Sequence, residues 1–150
     1  MRPSQRVLMH YAKEDDNCLL KASRKYLKDM DKDWGYILPE EFHKLLKKAK
    51  KDEYYIIDIR DADTYKKGHI PGAVNIYWED ILDPENLEKL PKDKKIFVYC
   101  YLGHTSSQIL VLLKMLGYSD VTSLKFGMGK PPKEGVKVAG WLDYGYDIEK

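Results

Sequence analysis

The apolar positions along this 150-residue chain fall into two alternating rhythms. Short runs rich in β-branched and aromatic residues, at 36–38, 54–59, 73–76, 95–99 and 121–124, read as strands. The runs 54–59 and 95–99 are apolar at successive positions, as strands buried on both faces are. Between the runs, apolar residues recur at three- and four-residue intervals, the period of a helix.

One helix is expected within residues 1–33, capped by Asp16 or Asn17, with Leu19, Ala22, Tyr26, Leu27 and Met30 near one face. A second opens at Pro39, with Glu40 and Glu41 in its first turn and Phe42, Leu45, Leu46 and Ala49 as its stripe. Asp61 would cap a short helix that Gly68 ends. Asp83 and Pro84 would start another, with Leu87 and Leu90 pointing inward. The last is expected over 108–116, with Thr105, Ser106 or Ser107 as cap. Ile109, Leu112, Leu113 and Leu116 would be its stripe and Gly117 its C-cap. Residues 126–140, rich in Gly, Pro and Lys, read as a surface loop, after which Trp141, Leu142 and Tyr146 anchor the tail.

Strands alternating with helices predict an α/β fold: a mainly parallel twisted sheet of about five strands with helices on both faces. It would occupy residues 34–150, with 1–33 as an N-terminal helical extension. In such sheets ligands bind beyond the carboxyl ends of the strands. Asp58 and Arg60 lie at one such end and Cys100 at another, so two signals point to one rim.

Cys100 ends an apolar strand and precedes a short loop with one glycine, Gly103, and then a helix start. Loop N–H groups and the helix dipole converge on such an atom, which is how a reactive thiolate is built. Cys100 is the candidate nucleophile. Cys18, at the start of the first helix, reads as a small, partly buried residue; a disulfide between the two would block the chemistry. Asp58 and Arg60 suit an ion pair that pins a strand end better than an acid and a base. His69 suits a turn-fixing role, and His104, inside the loop, suits solvent or substrate equally. His10 and His43 read as ordinary positions.

Composition narrows the partners. A net charge of +2 in a chain that is 33% charged gives no basis for nucleic-acid binding, and lysine clusters at 44–51 and 89–95 read as solvated ends. No segment is long and apolar enough to cross a membrane. Residues 1–11 lack the apolar core of a signal peptide, so a cytoplasmic location is expected, although a processed exported chain would look the same.

These residues resemble a family. Asp58-Ile59-Arg60, then Tyr65, then Gly68-His69-Ile70-Pro71-Gly72-Ala73-Val74-Asn75-Ile76, is similar to the signature of rhodanese-like domains. Cys100-Tyr101-Leu102-Gly103-His104-Thr105 matches that family's six-residue active-site loop, Cys-x-x-Gly-x-(Thr/Arg). Trp141 with Gly145-Tyr146 resembles its closing element. The likeness covers about Trp34 to Ile148.

The resemblance implies a sulfurtransferase: Cys100 takes sulfane sulfur from thiosulfate or a persulfide, carries it as a persulfide, and passes it to a thiophilic acceptor. It implies Tyr101, Leu102, Gly103, His104 and Thr105 as substrate-binding positions, with Asp58, Arg60 and Lys125 as support at the rim. It implies no metal and no organic cofactor. The partners would be a small sulfur donor and an acceptor, with a protein persulfide as an alternative, and neither nucleic acid nor membrane.

Three departures bear on the donor. Tyr101 and Leu102 stand where thiosulfate-using members often carry cations, so thiosulfate would be held weakly, with His104 or Lys125 as partial compensation. Tyr101 offers a ring face and a hydroxyl that suit a less charged partner. Phe126-Gly127 stands where the family tends to have Gly-Gly, and the stretch from there to Trp141 is longer than usual. Two other readings compete. A cysteine-dependent phosphatase or arsenate reductase needs Cys-x5-Arg, but Ser106 occupies the arginine position. A non-catalytic interaction or regulatory module of the same fold is the other.

Overall fold

The computed structural model describes residues 17–129 and 139–150. Of the two caps expected for the first helix, Asp16 lies outside them and Asn17 is the one observed, its side chain accepting from the Leu20 N–H; most of the expected 126–140 loop also lies outside. Five strands, β1 (Tyr36–Ile37), β2 (Tyr54–Asp58), β3 (Val74–Asn75), β4 (Lys95–Tyr99) and β5 (Val121–Leu124), form one sheet in the order β1-β5-β4-β2-β3. Every pairing is parallel. Helices α1 (Cys18–Lys28), α2 (Pro39–Lys48), α3 (Ala62–Lys67), α4 (Pro84–Leu87) and α5 (His104–Met115) and a 3-10 turn (Trp141–Tyr144) complete the described part.

The central strands are buried on both faces, and alternate residues join different cores. Ile57, Ile96, Val98 and Cys100 pack with Ile109, Leu110 and Leu113 of α5. Ile56, Phe97 and Tyr99 pack with Phe42 of α2 and with Trp141. Each such apolar side chain contributes about 1.5–3 kcal/mol on burial. Phe42 is the hinge pin of the second core, its ring 4.5 Å from Phe97 and 5.9 Å from Trp141.

The chain leaves β2 toward β3 on one side, whereas it leaves β4 toward β5 on the other. The gap between the ends of β2 and β4 is therefore a topological switch point, where open parallel sheets leave a crevice. Arg60 follows β2 and Cys100 follows β4.

Several expectations need correction. Helix α5 begins at His104, four residues early, because Gly103 is its cap in the left-handed conformation (φ +94°) and needs no capping side chain. Thr105, Ser106 and Ser107 are thus inside the first turn. The buried stripe of α5 is Ser106, Ile109, Leu110 and Leu113, while Leu112 and Leu116 are exposed. Leu116 is the C-cap, and Gly117 at φ +96° turns the chain after it. Helix α1 packs on α5, yet buries no residue fully, and Leu19 and Leu27 stay exposed. Cys18 is exposed rather than partly buried. Residues 127–129 are buried, not surface loop, and in the tail Trp141 is buried whereas Leu142 is exposed.

The ends of β2 and β4 are locked by a buried ion pair. Arg60 donates from Nε to Asp58 Oδ1 at 2.9 Å and from Nη2 to Oδ2 at 2.6 Å, with both side chains almost fully buried. Tyr99 Oη donates to Asp58 Oδ2 (2.7 Å) and accepts from the Ile70 N–H (3.0 Å). Arg60 Nη2 also donates to the Gly68 carbonyl (2.8 Å). Burial opposes the charge on Arg60, but the hydrogen bonds and charge of Asp58 outweigh it and raise its pKa. Removing one member of such a pair leaves the other charge buried and unpaired, which costs about 3–5 kcal/mol. Arg60→Ala should therefore lower the unfolding free energy by roughly that amount, read by urea denaturation, and Asp58→Ala should do the same. A loss below about 1 kcal/mol for either would show that the pair is dispensable.

Candidate active site

The thiol of Cys100 sits at the end of β4, 5% exposed, at the mouth of the crevice. The Gly103 N–H donates to its sulfur at 3.2 Å. Ser106, in the first turn of α5 and fully buried, has its Oγ 3.5 Å from the same sulfur. Ser123 of β5, also fully buried, donates to Ser106 Oγ at 2.9 Å. The Cys100 thiol donates to Ser106 Oγ, which also accepts from Ser123. The sulfur thus has one backbone donor, the Gly103 N–H, and one buried hydroxyl partner, Ser106, held in place by Ser123.

The loop is held from beneath. Met128 donates to the Cys100 carbonyl (2.9 Å) and Gly129 to the Tyr101 carbonyl (2.8 Å). Gly127 makes this approach possible: a Cβ there would lie 2.4 Å from the Cys100 carbonyl oxygen. Phe126 beside it takes φ +65°, a region that costs an ordinary residue about 1–2 kcal/mol. The residue as a whole remains 37% exposed.

Tyr101 stands on the opposite side. Its hydroxyl donates to Asp61 Oδ2 (2.9 Å) and lies 2.9 Å from Thr64 Oγ1, and Asp61 in turn caps α3 through the Thr64 N–H. The hydroxyl that was expected to face a partner is therefore spent on α3. The Arg60 guanidinium lies 5.6 Å from the ring centres of both Tyr99 and Tyr101, so the ion pair extends to this rim. Burial, with the Asp61 charge added, raises the Tyr101 pKa and keeps the phenol a donor.

Cys100, Tyr101, Leu102, Gly103, His104 and Thr105 thus fall on one loop and helix start. Leu102 and Thr105 are half-buried, and His104 is exposed. Lys125 is exposed at the end of β5, its ammonium 5.4 Å from the Phe126 ring centre. His69 stacks on Tyr65 at 3.7 Å and closes the His69–Glu149 bridge to the tail. Sequence reasoning missed Ser123, and it saw Ser106 only as a candidate cap and an absent arginine and Asp61 only as a cap. A polar residue in a strand buried on both faces was the available signal for Ser123.

Fold and site together define a parallel α/β domain that presents a loop-cradled cysteine at its switch point. A family model for the rhodanese-like domain matches residues 38–130. The chain belongs to the rhodanese-like family. It is 36% identical over 77 residues to a tRNA sulfurtransferase of Pyrobaculum aerophilum, covering 51% of this chain and 16% of that protein. It is 36% identical over 76 residues to thiosulfate sulfurtransferase GlpE of Coxiella burnetii, covering 51% of this chain and 69% of that one. The rhodanese-like domain of Alr3790 from Anabaena sp. superposes with a TM-score of 0.62 at 28% identity, covering 77% of this chain and 78% of the other. The names of the first two support sulfurtransferase activity at the level of the family.

Asp61 has a large pKa change. Hydrogen bonds from the Thr64 N–H, the Thr64 hydroxyl and Tyr101 lower it from 3.8 to about 2. A carboxyl lowered on folding adds stability above its unfolded value, and that stability is lost as pH falls through its folded value. Wild-type protein should therefore lose stability between about pH 4 and pH 2 in part through Asp61, and Asp61→Asn should flatten that part of the curve. Chemical denaturation at stepped pH checks it. Parallel curves for the two proteins would show that the Asp61–Thr64–Tyr101 contacts are not formed in solution.

Proposed function

We propose that this chain is a sulfurtransferase in which Cys100 carries sulfane sulfur as a persulfide between a donor and a thiophilic acceptor. The observation that carries the reading is the cradle at Sγ: the Gly103 N–H at 3.2 Å and the Ser106 hydroxyl, itself aimed by Ser123. A donor fixed where negative charge collects favours the thiolate that attacks and the thiolate that leaves, as an oxyanion hole does for oxygen. In the first half-reaction the Cys100 thiolate attacks the outer sulfur of the donor, and the donor's remainder departs with the electron pair. In the second, the acceptor attacks the outer sulfur of the persulfide and the pair returns to Sγ.

Residues 34–150 form the catalytic unit in this proposal, with 1–33 as an added extension. Leu102, His104 and Thr105 contact substrate, Asp58 and Arg60 support the rim, and Lys125 supplies the cation. A cytoplasmic setting fits, because the carrier must stay a thiol and reducing compartments keep it one. Among the described residues no helix is long and apolar enough to cross a membrane.

The donor reading favours a persulfide over thiosulfate. Tyr101 and Leu102 bring no cation, and the Asp61 carboxylate on Tyr101 faces a dianion with like charge. The phosphatase alternative lacks its clamp, because Ser106 stands in the arginine position and is tied to Ser123.

The test is sulfur transfer to cyanide from thiosulfate and from a small persulfide. Cys100→Ser should lose essentially all transfer from either donor, with the fold unchanged by circular dichroism, while Cys18→Ser retains it. Thiosulfate should show a high KM, and Tyr101→Arg, which neutralises Asp61, should lower it about tenfold at low salt and less at high salt. Transfer by Cys100→Ser at a rate comparable to wild type would remove Cys100 as the carrier.

A further inference from the structure

At the end of the sheet opposite Cys100, β2 outruns its neighbour β3. Strand β4 runs beside β2 from Tyr54 to Asp58, whereas β3 pairs only with Ile57 and Asp58. Among the described residues no strand lies beside Tyr54–Ile56 on that side. In a parallel ladder, successive residues turn their N–H and carbonyl groups to opposite neighbours. The Glu53 carbonyl and the Ile59 N–H bond to β4 and to the residue after Glu53's partner strand begins its ladder there, Lys95 and Tyr99, while the Asp58 carbonyl bonds the other way, to the Ile76 N–H. Tyr54 and Ile56 therefore turn their backbone groups away from β4, as Asp58 does. A groove of about 390 Å³ follows this edge, and Tyr54, Tyr55 and Ile56 all line it. Three successive strand residues share a wall through the strand's edge, since their side chains alternate between faces.

Charge decides what fits there. Strand β3 begins at Val74, opposite Ile57, and bounds the groove at that end together with the turn at Pro71 and Gly72. Leu46 of α2 adds an apolar side. Lys47, Lys51 and Lys94 also line the groove, against one carboxylate, Asp147. None of the three lysines is in an ion pair among the described residues. An open sheet edge invites another strand, and lysines along it repel a second copy that brings the same charge. An acidic strand meets the opposite condition: its backbone pairs with β2 while its carboxylates meet the lysines.

We infer that this groove is a docking site for a short, extended, acidic segment of a partner protein, which adds a strand to β2 along Tyr54–Ile56. In recognition by strand addition, main-chain hydrogen bonds hold the segment and pockets for alternate side chains select it. Three residues of strand span about 10 Å, so a segment of a few residues fills the edge. Its apolar side chains face Leu46 and Val74, and its acidic ones face the lysines. The starts of β2 and β4 lie at the opposite end of the sheet from Cys100, so a docked segment leaves the crevice open. The surface therefore recruits a protein to the domain without taking part in sulfur transfer, and it stands whether or not the transfer reading does.

The experiment titrates the full, isotope-labelled chain with the peptide acetyl-Glu-Val-Glu-Val-Glu-amide and, as its charge reversal, acetyl-Lys-Val-Lys-Val-Lys-amide. The acidic peptide should move the amide NMR signals of Tyr54, Tyr55, Ile56 and Val74 and leave those of the Cys100 loop in place. It should bind at least tenfold tighter than the basic one, and less so as salt rises. Lys47→Glu combined with Lys51→Glu, both exposed positions, should abolish that preference. Two further acidic peptides, N-methylated at every valine or at every glutamate, separate strand addition from plain charge attraction. One of them should bind about tenfold more weakly and the other as before, because only one edge of a strand pairs with β2. Equal binding of the two charge types, undisturbed Tyr54–Ile56 signals at millimolar acidic peptide, or equal binding by both methylated peptides overturns the inference. So do shifts of the same amides with protein concentration alone, which would make the occupant a second copy, and tighter binding there of an oligothymidylate, which would make it nucleic acid.

Discussion

The rest of the structure depends on a negative charge placed where water cannot reach it. Asp58 ends β2 fully buried, and an uncompensated carboxylate there would cost several kcal/mol. Its neutralisation recruits Arg60 from the chain just beyond, Tyr99 from the neighbouring strand and, through them, the Gly68 carbonyl and Ile70 N–H of the following turn. Asn75 of β3 ties the same corner by donating to the carbonyls of Asp58 and Arg60. The charge thus joins the ends of β2 and β4, and the Asn75 amide joins β3 to the same corner. The residue after Tyr99 is Cys100, so its sulfur inherits that registration.

The cradle is built from the other side of the sheet. Because alternate residues of β4 face opposite cores, Tyr99 turns to the ion pair and Cys100 turns to α5. There Gly103, in a conformation that suits glycine, starts the helix at once and sends its N–H back to the sulfur. A Cβ at Gly103 would come within 3.2 Å of the Leu124 carbonyl oxygen and the Phe126 nitrogen. The first turn of α5 then delivers Ser106, and β5 delivers Ser123 behind it. Neighbouring strands thus supply the pieces: β4 the sulfur and β5 the hydroxyl that aims its partner.

Much of this was legible in the sequence. The five strands were visible because buried parallel strands are dense in β-branched and aromatic residues, and the helices because Pro39, Asp61 and Asp83 mark their starts. The Cys100 loop was visible because its residues match a family pattern. What escaped was long-range. The start of α5 was misplaced because Thr105, Ser106 and Ser107 look like caps, whereas a left-handed Gly103 made capping side chains unnecessary. Leu112 and Leu116 look like core by period but fall on the exposed side, since helix–sheet contact selected the stripe containing Ser106. The bond from Tyr101 to Asp61 spans 40 residues and leaves no local trace. Ser123 was hidden for the same reason: its partner lies 17 residues away on another element.

The most direct measurement is the mass of the protein after sulfur loading. Wild-type chain incubated with thiosulfate, or separately with a small persulfide, and freed of excess reagent should gain about 32 Da, the mass of one sulfur atom. Digestion should place the added mass on the peptide that carries Cys100, and cyanide should remove it. Sulfur found on Cys18 instead, or no adduct from either donor, would contradict the assignment of Cys100 as the carrier.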